Sequence, residues 1–199
     1  MDTDRINRVR AVCIYCASGT GVHPAYGEAA EKTGSLLGKR GIRVINGAGS
    51  TGLMRTVSEA VLREGGSVTG VIPRFMVRNG WCDKSLTEII EVETMHERKQ
   101  RMAALSDAVI ALPGGCGTLE ELLEIITWKQ LGLYRHPVVI LNTNRYYDPL
   151  FTLFRQAADE RFLLCRESLW HESRTPEDAV ETIFNACGQA TGGFRHTHP

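Results

Sequence analysis

No stretch of the 199-residue sequence approaches the ~20 apolar residues that a membrane-spanning helix requires. The N-terminus, MDTDRINRVR, lacks the apolar core of a secretion signal, so a cytoplasmic protein is expected. Charge of one sign is missing too. Lys+Arg and Asp+Glu both number 23, for a formal net charge of +0. That balance provides no global field to draw in nucleic acid or an anionic membrane, and neither is expected as a partner. There is no linker, repeat or low-complexity segment to mark a domain boundary, which predicts one domain over residues 1–187. The remainder, GQATGGFRHTHP (188–199), reads as a loose tail, with His196 and His198 as terminal residues and not ligands.

Six cysteines are scattered along the chain in no disulfide-framework spacing. Cys13 and Cys16 form a C-x-x-C, but they lie in an apolar run that reads as a strand. Residues three apart on a strand point to opposite faces, so the pair reads as structural and no metal is expected.

Against these absences stands a regular alternation. Short runs rich in β-branched residues occur at Val9–Cys16, Ile42–Asn46, Ser67–Ile72, Asp107–Leu112 and Pro137–Asn142, with a weaker one at Leu86–Val92. Between them, Pro24–Lys39 and Leu53–Arg63 carry apolar residues at helical spacing, closed by Gly41 and by Gly65-Gly66. Near-continuous apolar strands alternating with helices predict an α/β fold, Rossmann-like and doubly wound: a mostly parallel sheet with helices on both faces.

In such a sheet ligands bind beyond the carboxyl ends of the strands, where helices begin. Two strand-to-helix turns are glycine-rich, NGAGSTGLM (Asn46–Met54) and PGGCGT (Pro113–Thr118). Glycine admits an anion close to the backbone, and the following helix turns unpaired N–H groups toward it, so each turn suits phosphate. Each also suits a plain glycine cap. Neither is a P-loop, because no Gly-Lys-Ser/Thr follows, and neither is a clean G-x-G-x-x-G.

The helix after PGGCGT sets Leu119, Leu122, Leu123 and Ile126 on one stripe, with Glu121 roughly opposite, facing water or a cleft. In TMHERKQRMAAL (Thr94–Leu105), Arg98 falls inside an apolar stripe of Met95, Met102 and Leu105. A charge there either packs its stem and snorkels out or meets an anion in a cleft. Lys99, one residue round the wheel, could serve the same site.

Together MHERK (Met95–Lys99) and PGGCGTLEE (Pro113–Glu121) resemble the M-x-x-R-K and P-G-G-x-G-T-x-x-E pair of the LOG ("lonely guy") family. CIYCAS, GLM, GVIP, TWKQLG and LNTNRYYDPL extend the resemblance through nearly the whole chain. That family comprises cytokinin riboside 5′-monophosphate phosphoribohydrolases, long mislabelled lysine decarboxylases. The resemblance implies cleavage of the N-glycosidic bond of adenine-type nucleoside 5′-monophosphates, AMP or N6-prenylated forms, without a cofactor and in a homodimer. By motif position it gives Arg98 and Glu121 the catalytic roles. It assigns Gly114, Gly115, Gly117 and Thr118 to the phosphate, with Cys116 at the variable position and Lys99 and Thr127 nearby. A nucleotide-binding regulatory module without turnover is the alternative.

Departures from the family pattern are Ala17, Ala48, Arg55, Gly80 and Arg161, most of them at positions where glycine is usual. Arg55 is expected to crowd the first glycine turn. Trp81 either stacks on a purine or is buried against a helix or subunit.

Overall fold

The computed structural model describes residues 9–163 and 169–189, the side chains of 187–189 excepted. Among these residues seven strands form one sheet: β1 (Ala11–Tyr15), β2 (Arg43–Asn46), β3 (Val68–Pro73), β4 (Glu88–Val92), β5 (Ala108–Ala111), β6 (Val138–Leu141) and β7 (His171–Ser173). Their order is β4-β3-β2-β1-β5-β6-β7, and every strand pairing is parallel. The central strands β1, β5 and β6 are buried throughout, because helices cover both faces, and this is why they read as unbroken apolar runs.

On one face α1 (Pro24–Lys39), α2 (Gly52–Arg63) and α7 (Pro176–Gln189) pack over Val12, Ile14 and Val44. On the other, α4 (Met95–Ala104), α5 (Cys116–Gln130) and α6 (Asp148–Asp159) pack over Cys13, Tyr15 and Ile45. Cys13 and Cys16 are buried free thiols in these two separate cores, as strand alternation requires. Burial pushes both thiols well above their usual pKa.

Four elements are not assigned above from the sequence: the five-residue helix α3 (Arg74–Arg78), the edge strand β7 and the helices α6 and α7, although α6 carries Leu150, Phe151 and Phe154 at helical spacing. α7 runs to Gln189, two residues past the expected end of the domain at 187. The rest of the expected tail, with His196 and His198, lies outside the described residues, as does most of the N-terminal segment read above as lacking a signal. Among the described residues no helix is long and apolar enough to cross a membrane.

The chain crosses from one side of β1 to the other between β4 and β5. The topological switch point therefore lies between the carboxyl ends of β1 and β5.

Candidate active site

A cavity of about 440 Å³ opens at that switch point. The loop after β1 (Ala17, Ser18, Gly19) walls one side and the turn after β5 (Pro113–Thr118) the other. Arg98 and Glu121 reach in from α4 and α5, with Met54 and Met76 adding apolar surface.

α5 begins without a side-chain cap, because its N-cap is Gly115. The amides of Cys116, Gly117 and Thr118 in the first turn have no acceptor within the helix, and the positive end of the dipole lies with them. A Cβ on Gly115 or Gly117 would meet nothing within 4 Å, and both glycines line the cavity, so an anion can reach the backbone there. Gly114 is required for the opposite reason. A Cβ there would stand 2.1 Å from Oγ1 of Thr118, a buried side chain folded back over the turn. Cys116 is exposed and does not line the cavity.

Arg98 is set in place by the start of α4. Thr94 caps the helix by accepting from the Glu97 amide (3.1 Å), and Glu97 reaches back to the amide of Glu93 (2.9 Å), in the manner of a capping box. One turn in, Arg98 is only 6% exposed and does not snorkel. Its Nε donates to the Val71 carbonyl (3.1 Å) and its Nη2 to the Gly47 carbonyl (2.8 Å), while Nη1 rests 3.8 Å from the sulfurs of Met76 and Met95. The guanidinium lies so close to the end of β2 that a Cβ on Gly47 would fall 1.7 Å from Nη2. Burial lowers the pKa of Arg98, and the charge of Glu121 acts in the other direction.

The stripe on α5 is shifted at one edge: Leu122 and Ile126 are buried and Leu119 packs partly against the core, as expected. The buried residues are Thr118, Leu122, Ile125, Ile126 and Lys129, whereas Leu123 is 42% exposed. Glu121 lies 40° from Ile125 at 100° per residue, on the sheet-facing side and not opposite it. Leu123 continues the i, i+4 spacing from Leu119 yet faces solvent, so spacing alone does not separate the two edges of the stripe. Glu121 is half-buried at the cavity and, among the described residues, has no hydrogen-bond or ion-pair partner. Desolvation raises its pKa to about 7; the charge of Arg98 opposes that rise, and Glu120 adds to it. A carboxyl group poised at neutral pH in a cleft can hold or release a proton during turnover.

Lys99 is brought to a different place. Although 5% exposed, it does not line the cavity. Its Nζ bonds Glu124 (3.1 Å) and Glu120, tying α4 to α5 on either side of Glu121. Thr127 is not at the cavity either: its hydroxyl bonds the Leu123 carbonyl (2.8 Å), nine residues along α5 from Thr118, or about 13 Å. Among the lining residues not singled out from the sequence are Tyr26 on α1 and Tyr146 after β6.

The departures are accommodated. Ala48 has φ 57° and Arg161 φ 66°, left-handed positions where glycine would be relaxed. Arg55 does not crowd the turn: it is exposed and pairs with Glu59 one turn along α2 (2.6 Å). Gly80 has φ 76° in the turn after α3. Trp81 is 51% exposed and lies outside the cavity lining, so within this chain it is neither buried nor placed to stack on a ligand there.

The family described as "possible lysine decarboxylase" matches residues 54–183. Cytokinin riboside 5′-monophosphate phosphoribohydrolase LOG7 of Arabidopsis thaliana is 46% identical over 157 residues, 79% of this chain and 72% of that protein. The probable cytokinin riboside 5′-monophosphate phosphoribohydrolase LOGL1 of Oryza sativa subsp. japonica is 46% identical over 162 residues, 80% of this chain and 73% of that one. Among solved structures, the molybdenum cofactor binding protein of Rippkaea orientalis superposes with a TM-score of 0.68 at 21% identity, covering 89% of this chain and 97% of that one. The molybdenum cofactor carrier protein of Chlamydomonas reinhardtii gives 0.69 at 18% identity, covering 91% and 99%. At those identities the likeness is one of fold. The sequence relatives, the matched family and the switch-point cavity holding both motifs agree: the chain belongs to the LOG family of cytokinin riboside 5′-monophosphate phosphoribohydrolases, the family also described as possible lysine decarboxylases.

Proposed function

We propose that the protein hydrolyses the N-glycosidic bond of adenine-type nucleoside 5′-monophosphates, AMP and its N6-prenylated forms, giving free base and ribose 5-phosphate. The observation that carries this reading is the convergence of Glu121, Arg98 and the uncapped start of α5 on one cavity. The 5′-phosphate binds the first-turn amides and the Thr118 hydroxyl. Glu121 lies one turn further, about 5 Å along the axis, within reach of the ribose.

Breaking the C1′–N bond builds positive charge on the sugar ring, as in other glycosidic cleavages. The ionised Glu121 carboxylate stabilises that charge and accepts a proton from the attacking water, whose hydroxyl bonds to C1′. The base leaves with the bonding electron pair, and the proton of the consumed water ends on it. Arg98 is a poor proton donor at neutral pH, so its part is electrostatic: it orients the carboxylate and favours departure of the base.

We further place the protein in the cytoplasm as a homodimer. The exposed leucines on and just after α5, Leu123, Leu131 and Leu133 at 42%, 61% and 72%, support association by leaving apolar side chains for a second copy to cover. Light scattering should give twice the chain mass, and a monomer in solution would reject the dimer.

Incubation with AMP and with isopentenyladenosine monophosphate should release free base from at least one of them. Nucleotide binding without base release would instead favour the regulatory module.

A further inference from the structure

Tyr146 stands at the mouth of the cavity on a segment held under strain. Asn144 (φ 52°) and Arg145 (φ 60°) are consecutive left-handed residues, and neither is glycine. Such backbone persists only where its surroundings over-determine it, and it concentrates at functional positions. Here the surroundings are visible. The side chain of Asn142 accepts from the Tyr147 amide (2.7 Å) and donates to Asp148 (2.8 Å), and Arg145 pairs with Asp148 (2.6 Å). The outcome of this bracing is the position of one hydroxyl: that of Tyr146, which donates to the Gly114 carbonyl at 2.6 Å. The ring is set edge-on against Tyr26 on one side and Tyr147 on the other, at centroid distances of 5.9 and 5.0 Å.

The peptide unit between Gly114 and Gly115 is planar and trans, so its C=O and the N–H of Gly115 point in opposite directions. Fixing one fixes the other. A glycine pair is the segment of chain most free to rotate that unit, and a carbonyl turned into the cavity would repel an anion. We propose that Tyr146 is a positioning residue of the phosphate cradle: by holding the Gly114 carbonyl it aims the Gly115 amide at the bound phosphate. This role rests on the phosphate-binding reading above. It does not place Tyr146 among the groups that act on the glycosidic bond.

Calorimetry with ribose 5-phosphate tests both, because the wild-type protein and Tyr146→Phe answer different questions. The phenylalanine ring keeps the contacts with Tyr26 and Tyr147, so losing the one part-buried hydrogen bond to Gly114 should lower the melting temperature by no more than a few degrees. Ribose 5-phosphate should bind Tyr146→Phe about tenfold more weakly, the size of one lost hydrogen bond. KM for the nucleotide should rise by a similar factor with kcat within about twofold, and adenine alone should bind as it does to the wild type. Equal ribose 5-phosphate affinity in the two proteins would overturn the role of Tyr146 and leave the cradle standing, as would a matching loss of adenine affinity. Failure of the wild type to bind ribose 5-phosphate would overturn the cradle and the role together.

Discussion

Glu121→Gln should lower kcat for base release by at least about a thousandfold, the scale expected when the group that both stabilises charge and activates water is removed. Nucleotide affinity should remain within a few-fold, because the phosphate is held by backbone amides that the substitution does not touch. The same substitution should make the protein more stable at pH 8. In the folded protein Glu121 holds its proton up to about 7, against 4.5 for an ordinary glutamate. The folded state therefore binds the proton more tightly than the unfolded chain does, and stability falls as pH rises from about 4.5 to about 7. Glutamine has no proton to lose. The difference of about 2.5 pH units corresponds to ~3 kcal/mol, and solvent reaching the carboxyl through the cavity reduces the expected gain to ~2 kcal/mol. For a chain of this length that is a rise of about 4–8 °C in melting temperature at pH 8, absent at pH 4. For the wild type, kcat/KM should climb with pH through about 7 as the carboxylate forms. Retained turnover in Glu121→Gln removes the assignment; equal melting temperatures at pH 8 remove the account of why the carboxyl is poised.

Arg98→Ala should lower kcat/KM by about 10²–10³-fold, the cost of removing one preorganised electrostatic group. It should also destabilise the fold by about 1–3 kcal/mol, since the carbonyls of Val71 and Gly47 lose their donors. The more specific sign lies in the residual activity. Arg98 holds the pKa of Glu121 down against desolvation, so without it the acid limb of the pH profile should move above 7. Arg98→Lys keeps the charge but cannot reach both carbonyls with a rigid fork, and it should fall between wild type and alanine. An unmoved acid limb in Arg98→Ala would show that the two groups do not act on each other.

How far the sequence reveals this site depends on how local each interaction is. β1, β5 and β6 are legible because burial on both faces demands unbroken apolar residues. β7, HES, has no such run and is a strand because β6 offers it an edge to pair with. Arg98 is legible because a charge between Met95 and Met102 requires an explanation, and the carbonyls of Gly47 and Val71 supply it. The facing of Glu121 is not legible, because helix periodicity admits Leu123 to the buried stripe as readily as Ile125, and Leu123 is the exposed one. Lys99 reads as a second cation for the site. Its partners, Glu120 and Glu124, stand a full helix and strand away in sequence, and only the packing of α4 on α5 shows that it braces the cavity wall. Tyr146 is the least accessible of all, since its reach depends on two successive left-handed residues: Asn144 tolerates that conformation, but nothing in the side chain of Arg145 hints at it.

The central claim is that water attacks C1′ of a nucleotide held by its phosphate at the start of α5. Turnover of AMP or isopentenyladenosine monophosphate in ¹⁸O-labelled water tests it in one measurement, by mass spectrometry of the products. The expected result is free base together with ribose 5-phosphate carrying one label on the sugar and none on the phosphate. Label in the phosphate group, with an intact nucleoside as the other product, would contradict it.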